Sequence, residues 1–174
     1  MRQHSRIRLA VLISAASLGW SGAPLGCSQE VVLEASAGPI VLDSAVVRVP
    51  LASSGVGGGL ARRLGSLPPE HRIYLVLREL HTDEQPGVLY HVYLDREAAT
   101  PPGSDDPHYV GSFSFFDAGA EEGSPSRSFE LTGLARNLQE RRLLSDATTI
   151  TIVAGGKAET RARPRIGRIE LTEQ

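Results

Sequence analysis

One cysteine, one tryptophan and one methionine are all that the 174 residues contain of these types, and phenylalanine and tyrosine occur only four times each. A lone cysteine excludes an intramolecular disulfide and any multi-cysteine metal site. Neither sign of charge dominates: 18 basic side chains face 20 acidic ones, for a formal net charge of −2. No basic stripe of the kind a phosphate backbone requires is present, so nucleic acid is excluded as a partner. Catalytic spacings are missing as well. The chain has no H-x-H, H-x-x-x-H or C-x-x-C pair and no G-x-S-x-G elbow, and Gly57 to Gly59 are not followed by the Lys-Ser/Thr of a phosphate loop.

What is present begins with the first 26 residues. Arg2, Arg6 and Arg8 precede an apolar run from Leu9 to Leu18 and a small, turn-forming stretch that ends at Gly26. This is the pattern of an export signal, and the run is too short for a permanent membrane helix, which needs about 20 apolar residues. Cys27 falls where the signal ends, in "APLGCSQE". Gly26 and Ser28 around it resemble the lipobox of bacterial lipoproteins, although Pro24 stands where a branched aliphatic residue is usual and Leu25 comes one position late. Two readings of Cys27 stand: acylation, which anchors the exported chain to a membrane, or a free thiol in a soluble periplasmic or secreted protein.

From Glu30 onward the patterns predict strands. "VVLEA", "PIVLDSAVVRVPL", "HRIYLVLREL", "VLYHVYLD", "HYVGSFSFF", "SRSFELT", "TTITIVAGG" and "RIGRIELTE" are rich in β-branched or alternating apolar residues and are separated by Gly, Pro, Ser and Asp. "HRIYLVLREL" and "VLYHVYLD", joined by "DEQPG", read as a hairpin. "ASSGVGGGLARRLGSLPPEH" reads as a long flexible loop. One short helix is expected over "GLARNLQERRLL", with Thr132 as its cap, Ser145 and Asp146 as its end, and Arg136, Arg141 and Arg142 on a solvated face. The fold class is therefore all-β, an antiparallel β-sandwich with one short helix, and a jelly-roll order is among the topologies that this pattern allows. Residues 27–174 form a single domain, with N-terminal strands and a loop over 27–69 and the sandwich core over 70–174.

Little chemistry is legible. His71, His81, His91 and His108 are spread along the chain, and the paired acids Asp105–Asp106 and Glu121–Glu122 lie in loops, where solvation is the default and calcium the lesser alternative. In "DPHYVGSFSFFDAG" alternation places Tyr109, Gly111, Phe113 and Phe115 on one face and Val110, Ser112, Ser114 and Phe116 on the other, the construction of a core strand.

Five segments in order, "PGVLYHVYLD", "PHYVGSFSFF", "SFELTGLARNLQERRLL", "TTITIVAGG" and "RIGRIEL", resemble the C-terminal domain of tyrosinase-type polyphenol oxidases, and the bacterial versions more closely than the plant ones. Leu89, Tyr90, His91, Val92 and Tyr93 occupy the place of the family's K-F-D-V-Y signature, keeping its Val and Tyr. Val110, Gly111, Ser112 and Phe113 fit the A-G-S-F strand. Leu131, Thr132, Leu134 and Leu138 fit the helix, and Ile166, Gly167 and Ile169 fit the closing strand. The resemblance implies a β-sandwich lid that rests over a copper pocket and keeps the enzyme latent, with one lid residue inserted as a plug. It implies no catalysis and no cofactor in this chain, because the six copper-binding histidines of such enzymes belong to a separate helical domain. A tyrosinase-like copper enzyme is the implied partner. The competing expectation is an envelope structural or ligand-binding sandwich without that partner; direct copper handling by His91 and His108 is a third.

Overall fold

The computed structural model describes residues 30–55, 59–96, 105–116, 118, 125–159 and 161–174. The export signal and Cys27 lie outside the described residues. Ten strands form two antiparallel sheets. The first sheet takes β1 (Val31–Ala35), β2 (Ile40–Val41), β4 (Ala52–Ser53), β5 (Ile73–His81), β8 (Arg127–Glu130) and β10 (Arg165–Glu173) in the order β4-β1-β10-β5-β8, with β2 also on β10. The second takes β3 (Val46–Pro50), β6 (Tyr90–Leu94), β7 (Tyr109–Phe113) and β9 (Thr149–Ala154) in the order β3-β9-β6-β7. The all-β sandwich expected from the sequence is the observed architecture.

Alternation explains what each sheet buries. Ile73, Leu75 and Leu77 of β5 point inward with Ile169 and Leu171 of β10, and meet Val92 and Leu94 of β6 with Ile150 and Ile152 of β9. Side chains two apart share a face of a strand, so both sheets present one continuous apolar side to the other. Each such aliphatic side chain contributes about 1.5–3 kcal/mol when fully withdrawn from water. The strands before residue 60 are integral to this arrangement: β1 pairs with β10 in the first sheet and β3 with β9 in the second.

Three local expectations are corrected. β5 and β6 are not a hairpin, because β5 pairs with β10 and β8 while β6 pairs with β7 and β9. The connection between them crosses from one sheet to the other and is held by the Thr82 hydroxyl, which donates to the Ala162 carbonyl at 2.8 Å. The segment read as a flexible loop contains a helix, α1 (Leu60–Ser66), so the sandwich carries two helices and not one. Leu60 and Leu64, four apart, are buried on one side of α1, a spacing short enough to pass unnoticed in a Gly/Ser-rich stretch. The second helix, α2 (Thr132–Glu140), is the expected one with different ends. Thr132 does not cap it: its hydroxyl instead accepts the Ile73 N–H at 2.9 Å, while the Glu130 carboxylate takes the Thr132 N–H at 2.8 Å. The helix stops before Ser145 in a Schellman arrangement, with the Leu143 N–H on the Leu138 carbonyl and the Arg142 N–H on that of Gln139.

Candidate functional site

The two ends of the sandwich differ in what they expose. At one end lie the 36–45, 82–89 and 155–164 connections and the chain that leaves β7; at the other lie α1, α2 and the 141–148 segment.

The loop end is open and apolar. Of the four exposed large hydrophobic side chains among the described residues, three are here: Val41, Leu89 and Phe116. Phe116 is 80% exposed, although Phe113 and Phe115 just before it are buried and stack around Tyr90 at 5.5 and 5.4 Å between ring centres. Its backbone is clamped. The Gln85 side-chain amide donates to the carbonyls of Phe115 and Phe116 at 3.0 and 3.1 Å, and the Ala118 N–H closes a turn on the Phe115 carbonyl at 3.0 Å. Alternation places Phe113 and Phe115 on the buried face and Phe116 on the opposite one, and beyond the paired strand, which ends at Phe113, a clamped turn holds Phe116 outward. At the same end a groove of about 700 Å³ runs between Val41, Leu42 and Ala45 on one wall and Ala154, Lys157 and Pro164 on the other, with Asp43, Glu159 and Arg163 also on its lining.

At the helix end the surface closes over ionic groups. Glu173, 3% exposed, accepts from both the Nε and Nη2 of Arg63 and contacts His71 Nδ1 at 2.6 Å. Its carboxyl is held below the usual carboxylate range, chiefly by the Arg63 hydrogen bonds and further by His71, against the opposing effect of burial. Asp95, 5% exposed, accepts the Ser145 and Thr149 N–H groups at 2.8 and 2.7 Å. Burial pushes its carboxyl up and those two bonds offset only part of the rise. Arg96 bonds Asp106 at 2.7 Å and lies over the Tyr93 ring at 5.5 Å. Burial opposes ionisation of Asp106, but the Arg96 and His108 N–H bonds outweigh it and its pKa is lowered. A shallower cleft of about 470 Å³ lies between this cluster and Arg142 to Ser145. The loop from Asp105 to His108, at the entrance of the aromatic stretch, is thus tied into a structural network.

The family-motif positions divide between core and surface. Tyr90, Val92 and Phe113 are buried between the sheets, and the Tyr90 hydroxyl has no partner there. His91 and Tyr93 face away from the core on the outer side of β6, where Tyr93 is covered to 1% exposure and packs against Tyr109 at 5.4 Å. Ser112 is exposed. Gly111 and Gly167 have steric reasons to be glycine. A Cβ at Gly111 would come within 2.8 Å of the Phe129 ring, and one at Gly167 within 2.7 Å of Glu79 Cβ. Glu79 takes φ 56°, which folds its side chain across the neighbouring strand.

The chemistry of a metal centre is not assembled. Among the described residues no three His, Cys, Asp or Glu side chains come together. His71 is engaged by Glu173, His81 by Asp83 at 3.4 Å, and His108 Nδ1 by the Leu94 carbonyl at 2.7 Å, while His91 lies on the outer face of the second sheet. This donor set does not fit a copper pair. Sequence reasoning missed Arg63, Asp95, Arg96 and Glu173, and read Asp106 as a solvated or calcium-binding loop acid where it is paired with Arg96. The one legible signal for these was an acid or a base at the last position of a strand, as in "YLDR" and "LTEQ".

No protein-family model matches the chain, and no curated protein matches it in sequence. Solved structures match it in fold. Latent aurone synthase, a polyphenol oxidase from its natural source, superposes with a TM-score of 0.52 at 16% identity, covering 78% of this chain and 25% of that one. The recombinantly expressed latent form gives 0.53 over the same shares. Latent apple tyrosinase gives 0.50 at 17% identity, covering 78% of this chain and 27% of that one. The chain therefore spans about a quarter of the length of these enzymes. The sandwich implied by the resemblance to the tyrosinase C-terminal domain is one that part of these latent oxidases shares.

Proposed function

We propose that this chain is a non-catalytic, exported lid that docks on a separate tyrosinase-like copper oxidase and holds it latent or assists its maturation. The observation that carries this reading is the fold match itself: it covers most of this chain but one quarter of enzymes crystallised in latent form. The loop end supplies the contact surface. A clamped, 80% exposed phenylalanine has the character of an interface anchor, since ordering it on binding costs little. Cys27, following an export signal, would hold the lid at a membrane through an acyl chain.

The test is capture and latency. The full chain, mixed with tyrosinase-like oxidases of its own organism, binds one of them and lowers its phenol oxidation, and Phe116→Ala weakens both effects. Absence of binding and inhibition with every such oxidase overturns the reading. Mass spectrometry of the N-terminus decides acylation separately. The groove favours a second reading, a ligand-binding envelope module. That reading predicts that a small apolar ligand protects the chain against unfolding while no oxidase is captured.

A further inference from the structure

The loop end carries a projecting ring and a groove on the same end of the sandwich. Phe116 stands out from its clamped turn, Val41 and Leu89 are half exposed, and the groove opens between Ala45 and Ala154. The 85–89 segment links the two. The Gln85 amide holds the Phe116 turn, the Pro86 carbonyl accepts the Glu159 N–H at 3.2 Å, and the Leu89 carbonyl accepts the Gly155 N–H at 2.7 Å. Gly155 and Glu159 both line the groove, so this segment lies between ring and groove and fixes one relative to the other.

The charges around this surface are of both signs. Among the described residues the three connections carry Asp43, Asp83, Glu84 and Glu159 against Lys157, Arg161 and Arg163, with Arg165 at the first position of β10 beside them. Asp83 is satisfied within the molecule by Arg163 and His81. The side chains of Glu84, Glu159, Lys157 and Arg161 have no ionic or hydrogen-bonding partner among the described residues. Exposed apolar groups ringed by polar ones have the anatomy of a protein contact. What the mixed rim fits best is another copy of itself, where an acid of one protomer can be set opposite a base of the other. A partner of one sign would gain from half of the rim and be repelled by the rest.

We infer that two copies of this chain associate through the loop end as a two-fold dimer, with Phe116 of each protomer seated in the groove of the other. A two-fold contact needs one patch that supplies both halves, and ring and groove on one end meet that condition. A two-fold axis passing between them sets each ring opposite the other copy's groove. The dimer covers the surface that the lid reading assigns to the oxidase, so a second copy and an oxidase exclude each other. The inference rests on that reading only in taking the loop end as a contact surface; no oxidase is needed for it.

Sedimentation velocity of the full chain in mild detergent, over a series of concentrations, tests it with two variants. Phe116→Ala removes the ring, and Ala45→Arg obstructs the groove from an exposed position. The N-terminus is the same in every sample, so differences between them report the loop end. The parent is expected to dimerise, and each variant to do so roughly tenfold or more weakly. An equimolar mixture of the two should associate more tightly than either alone, because Ala45→Arg brings an intact Phe116 and Phe116→Ala an intact groove. That recovery also requires both variants to be folded. A monomeric parent, variants that associate as the parent does, or a mixture no tighter than its components overturns the inference. Oxidase capture by a chain that does not dimerise removes this inference and leaves the lid reading; a dimer that captures no oxidase does the reverse.

Discussion

The two ends of one sandwich have opposite physical characters. The helix end buries its charges in pairs and closes over them: Glu173 with Arg63 and His71, Asp106 with Arg96, and Asp95 with two backbone N–H groups. The loop end leaves Val41, Leu89 and Phe116 in water beside an open groove. A buried ion pair is costly to break because one charge is then left without a partner. An exposed aromatic ring adds little to folding. The comparison separates buried ionic pairing from exposed apolar surface along the strand axis of this fold, which predicts that substitutions at the two ends differ in their effect on stability.

The largest expected effect is at the helix end. Glu173→Gln removes the charge that holds Arg63 and His71 and is expected to cost about 3 kcal/mol, read by urea or thermal unfolding. The same variant sharpens the pH dependence. The folded-state pKa of Glu173 is depressed, so its contribution is present above the unfolded value of about 4.3 and is lost as pH falls through the lower folded value. The parent should lose stability over that acid window more steeply than Glu173→Gln; equal slopes would show that the pair is not the source. A smaller loss, about 2 kcal/mol, is expected for Gly111→Ala or Gly167→Ala, because each added methyl meets the Phe129 ring or the Glu79 side chain within 3 Å. Arg142→Gly should change sign and stabilise by about 1 kcal/mol, since glycine accepts the left-handed backbone without strain. The smallest effect on stability belongs to the loop end: Phe116→Ala should stay within about 0.5 kcal/mol of the parent. If it destabilised as much as Glu173→Gln, Phe116 would be a packing residue and the contrast between the ends would collapse.

How far the sequence reaches can be judged from particular residues. Ile73, Leu75 and Leu77 were legible as one face of a strand because the period-two rule is local and this strand buries that face completely. The same rule placed Phe113 and Phe115 correctly. It also set Phe116 on the opposite face, but not the turn that holds it outward, which depends on a clamp from Gln85, about thirty residues earlier. The false hairpin has the same origin: a turn signal such as "DEQPG" fixes that the chain reverses, but not whether the next strand joins the same sheet or the facing one. α1 was hidden because its helical character rests on two leucines in a segment whose composition otherwise signals a loop. The buried acids were invisible as a site, since Glu173 and Arg63 are 110 positions apart and neither has a distinctive neighbour.

By itself, the sequence determined most of the main strands and their buried faces, the antiparallel sandwich class and the absence of a thiol or histidine motif suited to catalysis. All of these follow from composition or from spacings of a few residues, where the backbone geometry alone relates side chains to one another. At β7 a register shift puts Tyr109 on the outer side with Tyr93, against the alternation. The tertiary structure decided which strands share a sheet, why Gly111 and Gly167 admit no side chain, and where Glu173, Asp95 and Asp106 find partners. It also decided that three of the four exposed large hydrophobic side chains among the described residues gather at one end. Each of these depends on contacts between residues far apart in the chain, which become neighbours only when two sheets close on a common core.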